Sequence, residues 1–374
     1  MRRALLRSRT ALANTVSHLK FSAPARAFQR LVTRSNERRL HERIPDPRRQ
    51  LHIEPAGRCN LRCRFCAYPK KQRGKSIMAG DTFSGVVEAA LDMGYARIVL
   101  TPSTGDVYAD REFQAKLDYL EGIDRLEGYS FFTNFVLPSV EDVQHLFRLR
   151  KLQPLTISIY GHDEASFIAF TRGNAAAYRR LLANLRAVLE HGEPGAIGPH
   201  LYLRSRRSFR GVDATEGELC DLLVRIRDRF AVPIFVNRWF DNWGGVVEQG
   251  DVEGLEIQIA GDDLVEKRGA CSLIFAQNSV LADGRVNACA CRDVEGTLEL
   301  GNIHAQPLAK ILSPENPRYM SLIERQQKGD FDAVCRSCTA YQSIYGLQNP
   351  FSPRRKRVSL EQFMRKIEAK APPE

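Results

Sequence analysis

Cys59-Asn60-Leu61-Arg62-Cys63-Arg64-Phe65-Cys66 is the stretch on which the reading of this chain turns. Three thiols fall in a C-x3-C-x2-C spacing, with an aromatic residue just before the last. A run this tight can set three thiolates around one metal centre. A cubane iron–sulfur cluster has four irons, each needing a protein ligand or a substitute. Three cysteines therefore leave one iron open to an exogenous ligand, which describes a reactive cluster. The competing reading is a zinc site, but that wants a fourth ligand, and no His follows at finger-like spacing. A disulfide would strand one thiol and needs an oxidising compartment.

Outward from the motif, strand and helix patterns alternate. Leu51–Pro55 is a short apolar strand ending just before the cysteine loop. Residues 81–93 have helical periodicity, with Gly94 to close the helix. Strands are expected at 97–101, 129–133, 155–160, 201–204 and 232–237. Helices are expected near 112–120, 140–147 and 178–191. A further helix is expected to open on a Thr215-x-x-Glu218 capping box. Six β/α units demand a parallel sheet covered by helices. Right-handed crossovers curl such a sheet towards a barrel, open on one side. The expected fold is α/β: a partial (β/α)6 TIM-like barrel with a small C-terminal cysteine-rich auxiliary domain. Sites in such folds lie at the C-terminal strand ends, and the cysteine loop follows strand one.

The 374 residues carry a net charge of +11, and residues 1–50 alone hold thirteen Arg and Lys against Glu37, Glu42 and Asp46. The remainder is nearly neutral, which argues against a nucleic-acid-binding body. We divide the chain into a basic extension (1–48), a barrel core (49–250), an auxiliary domain (251–345) and a basic tail (346–374). Leu5, Leu6, Leu12, Val16 and Leu19 are spaced roughly as a helical face. That opening could be a transit peptide or a membrane-surface helix, but we favour an extension packed on the body, with Ile44-Pro45-Asp46-Pro47 as a linker. No apolar run reaches transmembrane length and no secretory h-region is present. Nine cysteines cluster at 59–66 and 271–338, with Cys220 alone between them. This distribution indicates metal sites in a reducing cytoplasm. Cys220 is expected to be helix packing.

The motif resembles the signature of the radical S-adenosylmethionine (SAM) enzymes. The resemblance implies a [4Fe-4S] cluster on Cys59, Cys63 and Cys66, with SAM chelating the open iron. Reductive cleavage then releases a 5′-deoxyadenosyl radical that abstracts hydrogen from substrate. That chemistry belongs to the cofactors, and the protein supplies placement and exclusion of water. The electron would come from an external donor such as flavodoxin or ferredoxin. By the same resemblance, Phe65 packs against adenine and Thr104-Gly105-Asp106 matches in part a Gly-Gly-Glu-like turn for the SAM amino group. A carboxylate there can accept from an ammonium, although an ordinary βα turn would look alike. Ser158 resembles a serine that touches SAM. Arg172 resembles the arginine that pairs with its carboxylate, and could instead be a solvated helix residue. Asn134 and Arg204 end strands near the site without an assigned role.

Cys271-x17-Cys289, then x45, then Cys335-x2-Cys338 supplies four further thiols, enough to close one cluster. With Gly284-x4-Cys289 and Leu300-Gly301-Asn302-Ile303 they resemble SPASM and twitch auxiliary-cluster domains. Too few cysteines remain for two extra clusters, so a single auxiliary [4Fe-4S] cluster fits better. A four-cysteine zinc ribbon is the alternative. Cys291 is either a substitute for Cys289 or a free thiol beside the cluster. Trp239-Phe240-Asp241-Asn242-Trp243-Gly244-Gly245 could face a sugar or peptide, or could pack an interdomain joint. Tyr160, His162 and Asp241 are possible proton-transfer groups, although a lone His is more often structural.

The resemblance implies a radical oxidation in which the auxiliary cluster accepts the substrate's electron or positions substrate. With only a short arm ahead of the core, a sugar or cyclitol alcohol is favoured over a peptide or protein side chain. A non-catalytic zinc or nucleic-acid-binding protein is the reading from another class.

Overall fold

The computed structural model describes residues 22–45, 50–100, 103–193, 199–261, 264–347 and 357–368. The first apolar face (Leu5 to Leu19), Asp46 and Pro47 of the linker, and Thr101 at the end of the second expected strand lie outside them. A helix at Ala23–Arg38 is followed by β1 (Ile44–Pro45) and β2 (Gln50–Ile53). The barrel strands are then β3 (Arg97–Val99), β4 (Gly128–Thr133), β5 (Leu152–Tyr160), β6 (His200–Arg204) and β7 (Ile234–Asn237). Next come β8 (Trp239–Phe240), β9 (Gln258–Ile259), β10 (Ser279–Val280), β11 (Arg285–Asn287), β12 (Glu299–Asn302) and β13 (Arg357–Val358).

β2 to β7 pair in chain order, all in parallel, as six β/α units require. One face of this sheet is mainly apolar, with Leu51, Ile98, Phe131, Ile157, Leu201 and Ile234 all buried. It packs beneath helices whose inward positions are those the periodicity named. Phe83, Val86, Val87, Ala90 and Leu91 do this on Gly80–Asp92, and Tyr178, Leu181, Leu182, Leu185 and Val188 on Ala175–His191. Each Val, Leu and Phe among them stabilises the fold by about 1.5–3 kcal/mol. The opposite face is half exposed and carries an aromatic ladder, Phe132–Tyr202–Phe235, with ring centroids 6.1 and 4.8 Å apart.

The expected Thr215–Glu218 capping box does not form. Thr215 Oγ1 instead donates to Gly211 O at 2.9 Å across a short 3-10 turn, and the helix Glu218–Phe230 starts from Gly217. Cys220 is buried on its inner face, as packing requires.

The sheet does not stop at β2. β10 pairs in parallel with β2 (Ser279 opposite His52), and β11 and β12 continue it antiparallel, giving nine strands in one sheet. The cysteine-rich part therefore grows from the edge where the first cysteine loop begins. The basic extension packs on that part: Asn36 Nδ2 donates to Tyr345 O at 2.8 Å, and Arg34 pairs with Glu266. β1 pairs with β13 of the tail, whose helix Leu360–Glu368 sets Phe363 edge-on to Phe275.

Candidate active site

The loop after β2 holds Cys63 buried and Cys59 and Cys66 half-buried, all as free thiols. Local backbone shapes it. Leu61 N and Tyr68 N donate to the sulfurs of Cys59 (3.5 Å) and Cys66 (3.4 Å). Arg62 N and Arg64 N donate to Thr171 O and Phe170 O, docking the loop on the helix Glu164–Thr171. Burial pushes all three thiols up, Cys66 to about 11, and neighbouring thiols add to the rise at Cys59 and Cys63. Arg204 pulls the other way on Cys63 and Cys66. Three soft donors with N–H groups aimed at sulfur, and a cation facing them, suit a thiolate-ligated cluster.

Among the described residues no group of three or more His, Cys, Asp and Glu is gathered tightly enough for a single metal ion. A cubane takes one thiolate per iron and so asks for wider spacing. A second sign of fit is the Thr104 hydroxyl, which is buried without a partner. Buried polar groups are rarely left so.

Phe65 lies in an aromatic cluster with Tyr160 (5.1 Å), Phe240 (4.9 Å) and Phe170 (6.3 Å). Arg204 sits over Tyr160, 5.6 Å from its centroid. Asn134 Nδ2 donates to Asn60 Oδ1 (2.8 Å) and lies 3.8 Å from Cys59 Sγ. Asp106 is buried and already occupied. It accepts from Tyr108 N (3.1 Å), Asn134 N (2.7 Å) and Thr133 Oγ1 (3.0 Å), so it ties the ends of β3 and β4 together. Burial raises its pKa to about 6. Gly105 precedes it at φ 140°. Ser158 is buried on β5, two residues from Tyr160.

Two candidates stand apart. Arg172 caps its helix in the left-handed region (φ 52°) with an exposed side chain, near enough to Asp251 to lower its pKa. His162 is engaged structurally: Nδ1 lies 2.8 Å from Ser205 Oγ, Nε2 pairs with Asp163, and the ring stacks on Phe209 at 4.9 Å.

The distal cysteines come together. Cys271, Cys289, Cys291, Cys335 and Cys338 are all free, and burial raises the pKa of Cys271, Cys289, Cys335 and Cys338. Cys291 adds to that rise at Cys271, Cys289 and Cys338, which puts it inside this set. Donors again face sulfur: Gln342 N to Cys271 (3.5 Å), Cys291 N to Cys289 (3.3 Å) and Gln326 Nε2 to Cys335 (3.4 Å). The donor set fits an iron–sulfur cluster.

Sequence reasoning missed two connectors. Arg73, buried beside Glu54, ties the loop after Cys66 to Val294 and Glu295; only an isolated Arg in a basic loop signalled it. Arg292, one residue past Cys291, pairs with Asp241 and lies over Trp243.

Comparison with known proteins agrees with this geometry. The Radical SAM superfamily model matches residues 53–202, and an iron–sulfur cluster-binding SPASM domain model matches residues 271–339. The chain is a radical SAM protein with a SPASM domain. Its cofactors are accordingly a [4Fe-4S] cluster, SAM and an auxiliary cluster. Among solved structures, SuiB from Streptococcus suis bound to S-adenosylmethionine is similar at 12% identity, covering 84% of this chain and 79% of its own, with a TM-score of 0.50. BtrN in complex with AdoMet and 2-DOIA is similar at 15% identity, over 79% of this chain and 94% of its own, with a TM-score of 0.48. Native anSMEcpe with bound AdoMet is similar at 13% identity, over 86% and 96%, with a TM-score of 0.48. No curated protein matches the chain in sequence. No helix among the described residues is long and apolar enough to cross a membrane.

Proposed function

We propose that this radical SAM protein is an oxidoreductase that dehydrogenates an alcohol of a small sugar- or cyclitol-type polyol, the auxiliary cluster taking the electron left after hydrogen-atom abstraction and the hydroxyl proton passing to solvent or a neighbouring base. The observation that carries the oxidation is the second thiol set. It grows from the sheet edge that bears the first and is joined to it through Arg292 and Trp243. In this reading Cys59, Cys63 and Cys66 ligate three irons, and Cys271, Cys289, Cys335 and Cys338 close the auxiliary cluster. Core and auxiliary domains run over 49–250 and 251–345.

When bound, SAM and the reduced cluster supply a radical that takes a hydrogen atom from the substrate carbon. The residues of the chain bind and orient. Thr104, with its unpartnered hydroxyl, and Ser158 are the SAM contacts best supported by burial, and half-buried Gly105 lies between Thr104 and Asp106. Asp106 acts by holding Asn134 beside Cys59. Phe65 stiffens the loop from beneath and would meet adenine at its edge. Arg172 would have to turn in from solvent to reach a carboxylate.

Polyol recognition is supported by the half-exposed face of the sheet. Tyr160, Tyr202, Arg204 and Asn237 lie there in register, offering hydroxyl, guanidinium and amide groups to substrate oxygens. A flavodoxin- or ferredoxin-like donor in a reducing cytoplasm would complete the cycle.

The test is anaerobic reconstitution to about eight irons per chain, as two cubanes require. Incubation with SAM, dithionite and polyols deuterated at the carbinol carbon follows. Deuterium in 5′-deoxyadenosine together with a ketone product is expected. Turnover of peptides and not of polyols would replace the substrate class by a maturase. Zinc in place of iron would sink the enzyme reading altogether.

A further inference from the structure

The segment 239–245 is a joint between the two cysteine sites, and Arg292 stands at its centre. Its Nη2 donates to Asp241 Oδ2 at 2.9 Å, its Nη1 donates to Cys291 O at 2.6 Å, and its Cζ lies 4.7 Å from the centroid of Trp243. Trp243 in turn donates its indole N–H to Phe65 O at 3.0 Å, inside the Cys63-x2-Cys66 turn. The backbone of the joint lies tight against the helix Ala333–Ser337, which carries Cys335. A Cβ on Gly244 would stand 2.6 Å from Val334 Cγ2, and one on Gly245 2.8 Å from Ser337 Cβ. Asn242 Nδ2 adds a hydrogen bond to Ser337 O at 2.6 Å.

One run of contacts therefore connects Cys291, Arg292, Trp243, Phe65 and Cys66. It carries a fixed charge pair, and its two members are only partly solvated, with side-chain exposures of 25% for Arg292 and 29% for Asp241. A guanidinium keeps its charge in proteins, and here Asp241 holds it in place.

We propose that Arg292 is a positioning residue that sets the reduction potential of the auxiliary cluster, raising it with a held positive charge that Asp241 tempers. A reduced cluster carries one more negative charge than its oxidised form. A nearby cation favours the reduced state and a nearby anion opposes it, and at low local dielectric both act over several ångströms. Arg292, three residues past Cys289, is held by its bonds to Cys291 O and to Asp241, so its charge is fixed relative to the cluster. The pair thus predicts shifts of opposite sign. Loss of the cation should make reduction at least roughly tenfold less favourable, which for a one-electron couple is about 59 mV. Loss of the anion should make it more favourable.

This rests on the auxiliary ligand set proposed above, so the experiment tests that set separately. The full chain with Cys59→Ala, Cys63→Ala and Cys66→Ala retains the five distal thiols and Cys220, which is buried alone on its helix. After anaerobic reconstitution its iron content is measured, and a potentiometric titration with dithionite is followed by electron paramagnetic resonance. In that background Arg292→Gln should lower the midpoint, Asp241→Asn should raise it, and Arg292→Lys should stay near the parent. A merely structural role would change iron content or move both variants in one direction. Shifts of less than twofold in equilibrium constant, or shifts of the same sign, overturn the inference. If Arg292→Gln fails to hold a cluster, Asp241→Asn decides, and a midpoint that does not rise overturns it. A parent without iron overturns the ligand set and this inference together.

Discussion

Glu54 and Arg73 offer the sharpest test of how the cysteine loop is held. Glu54 follows β2 directly and Arg73 closes the segment beyond Cys66, so the pair pins both ends of the stretch that carries the three thiols. Their side chains are 1% and 5% exposed. Arg73 Nη1 donates to Glu54 Oε1 at 2.8 Å and Nη2 pairs with Oε2, while Nε donates to Val294 O at 2.6 Å. Burial opposes the Arg73 charge, yet the hydrogen bonds and charge of Glu54 win and its pKa is raised. Removing one partner strands the other, a loss of about 3–5 kcal/mol for buried pairs. Glu54→Gln retains hydrogen-bonding shape, so we set its cost near the bottom of that range, at about 3 kcal/mol. Replacing both by Met removes the desolvated charges together and should recover to within about 1 kcal/mol of the parent. The assay is urea unfolding of reconstituted protein in a double-mutant cycle of Glu54→Met and Arg73→Met. With single losses of at least about 3 kcal/mol and a double near the parent, a coupling of about 5 kcal/mol is expected. Additivity to within about 0.5 kcal/mol would refute the claim that these side chains act as a buried pair.

Other expectations follow from single sites. Burial lowers the pKa of His52 to about 4, so between pH 6.5 and 4 the unfolded chain binds a proton the native chain refuses. Stability should fall by about 1.4 kcal/mol per pH unit as acid is added across that window, and His52→Gln should flatten the slope of urea midpoints against pH. Gly161 sits at φ 79°, where a Cβ would lie 2.5 Å from Phe167 N. Gly161→Ala should therefore cost at least about 1–3 kcal/mol in thermal or urea unfolding and disturb Tyr160 next to it. Cys335→Ala with Cys338→Ala should leave about four irons per chain. That variant should still form 5′-deoxyadenosine but lose the ketone product, and full retention of product would remove the auxiliary cluster from the reaction.

The barrel was legible because its signals are local. Apolar alternation in β2 to β7 and the 3.6-residue stripe on residues 178–189 each fall within one window of chain. The helix Glu164–Thr171 escaped for the opposite reason. Ala165, Phe167, Ile168, Ala169 and Phe170 crowd eight residues and leave no polar stripe. Only the Asp163–Ser166 cap marks its start. The pairing of β10 with β2 joins positions 279 and 52, and nothing in either short strand names the other. The auxiliary domain was legible from its cysteines, but not that it continues the barrel's own sheet.

The segment 239–245 shows why the candidate site was only half readable. Two tryptophans beside Asp and Asn suit a sugar or a joint equally, because composition says nothing of partners. The hydrogen bonds decide between them. Trp243 donates its N–H to Phe65 O, Asp241 binds Arg292, and Asn242 binds Ser337 and Thr339, so these polar groups are engaged within the protein. A substrate must then find its partners elsewhere. On the proposed reading Tyr160 and Arg204, where β5 and β6 end, would supply them, with Arg204 also acting on Cys63 and Cys66. Trp243, bonded to Phe65 O and lying under the Arg292 guanidinium, links the loop of Cys63 and Cys66 to the segment after Cys291.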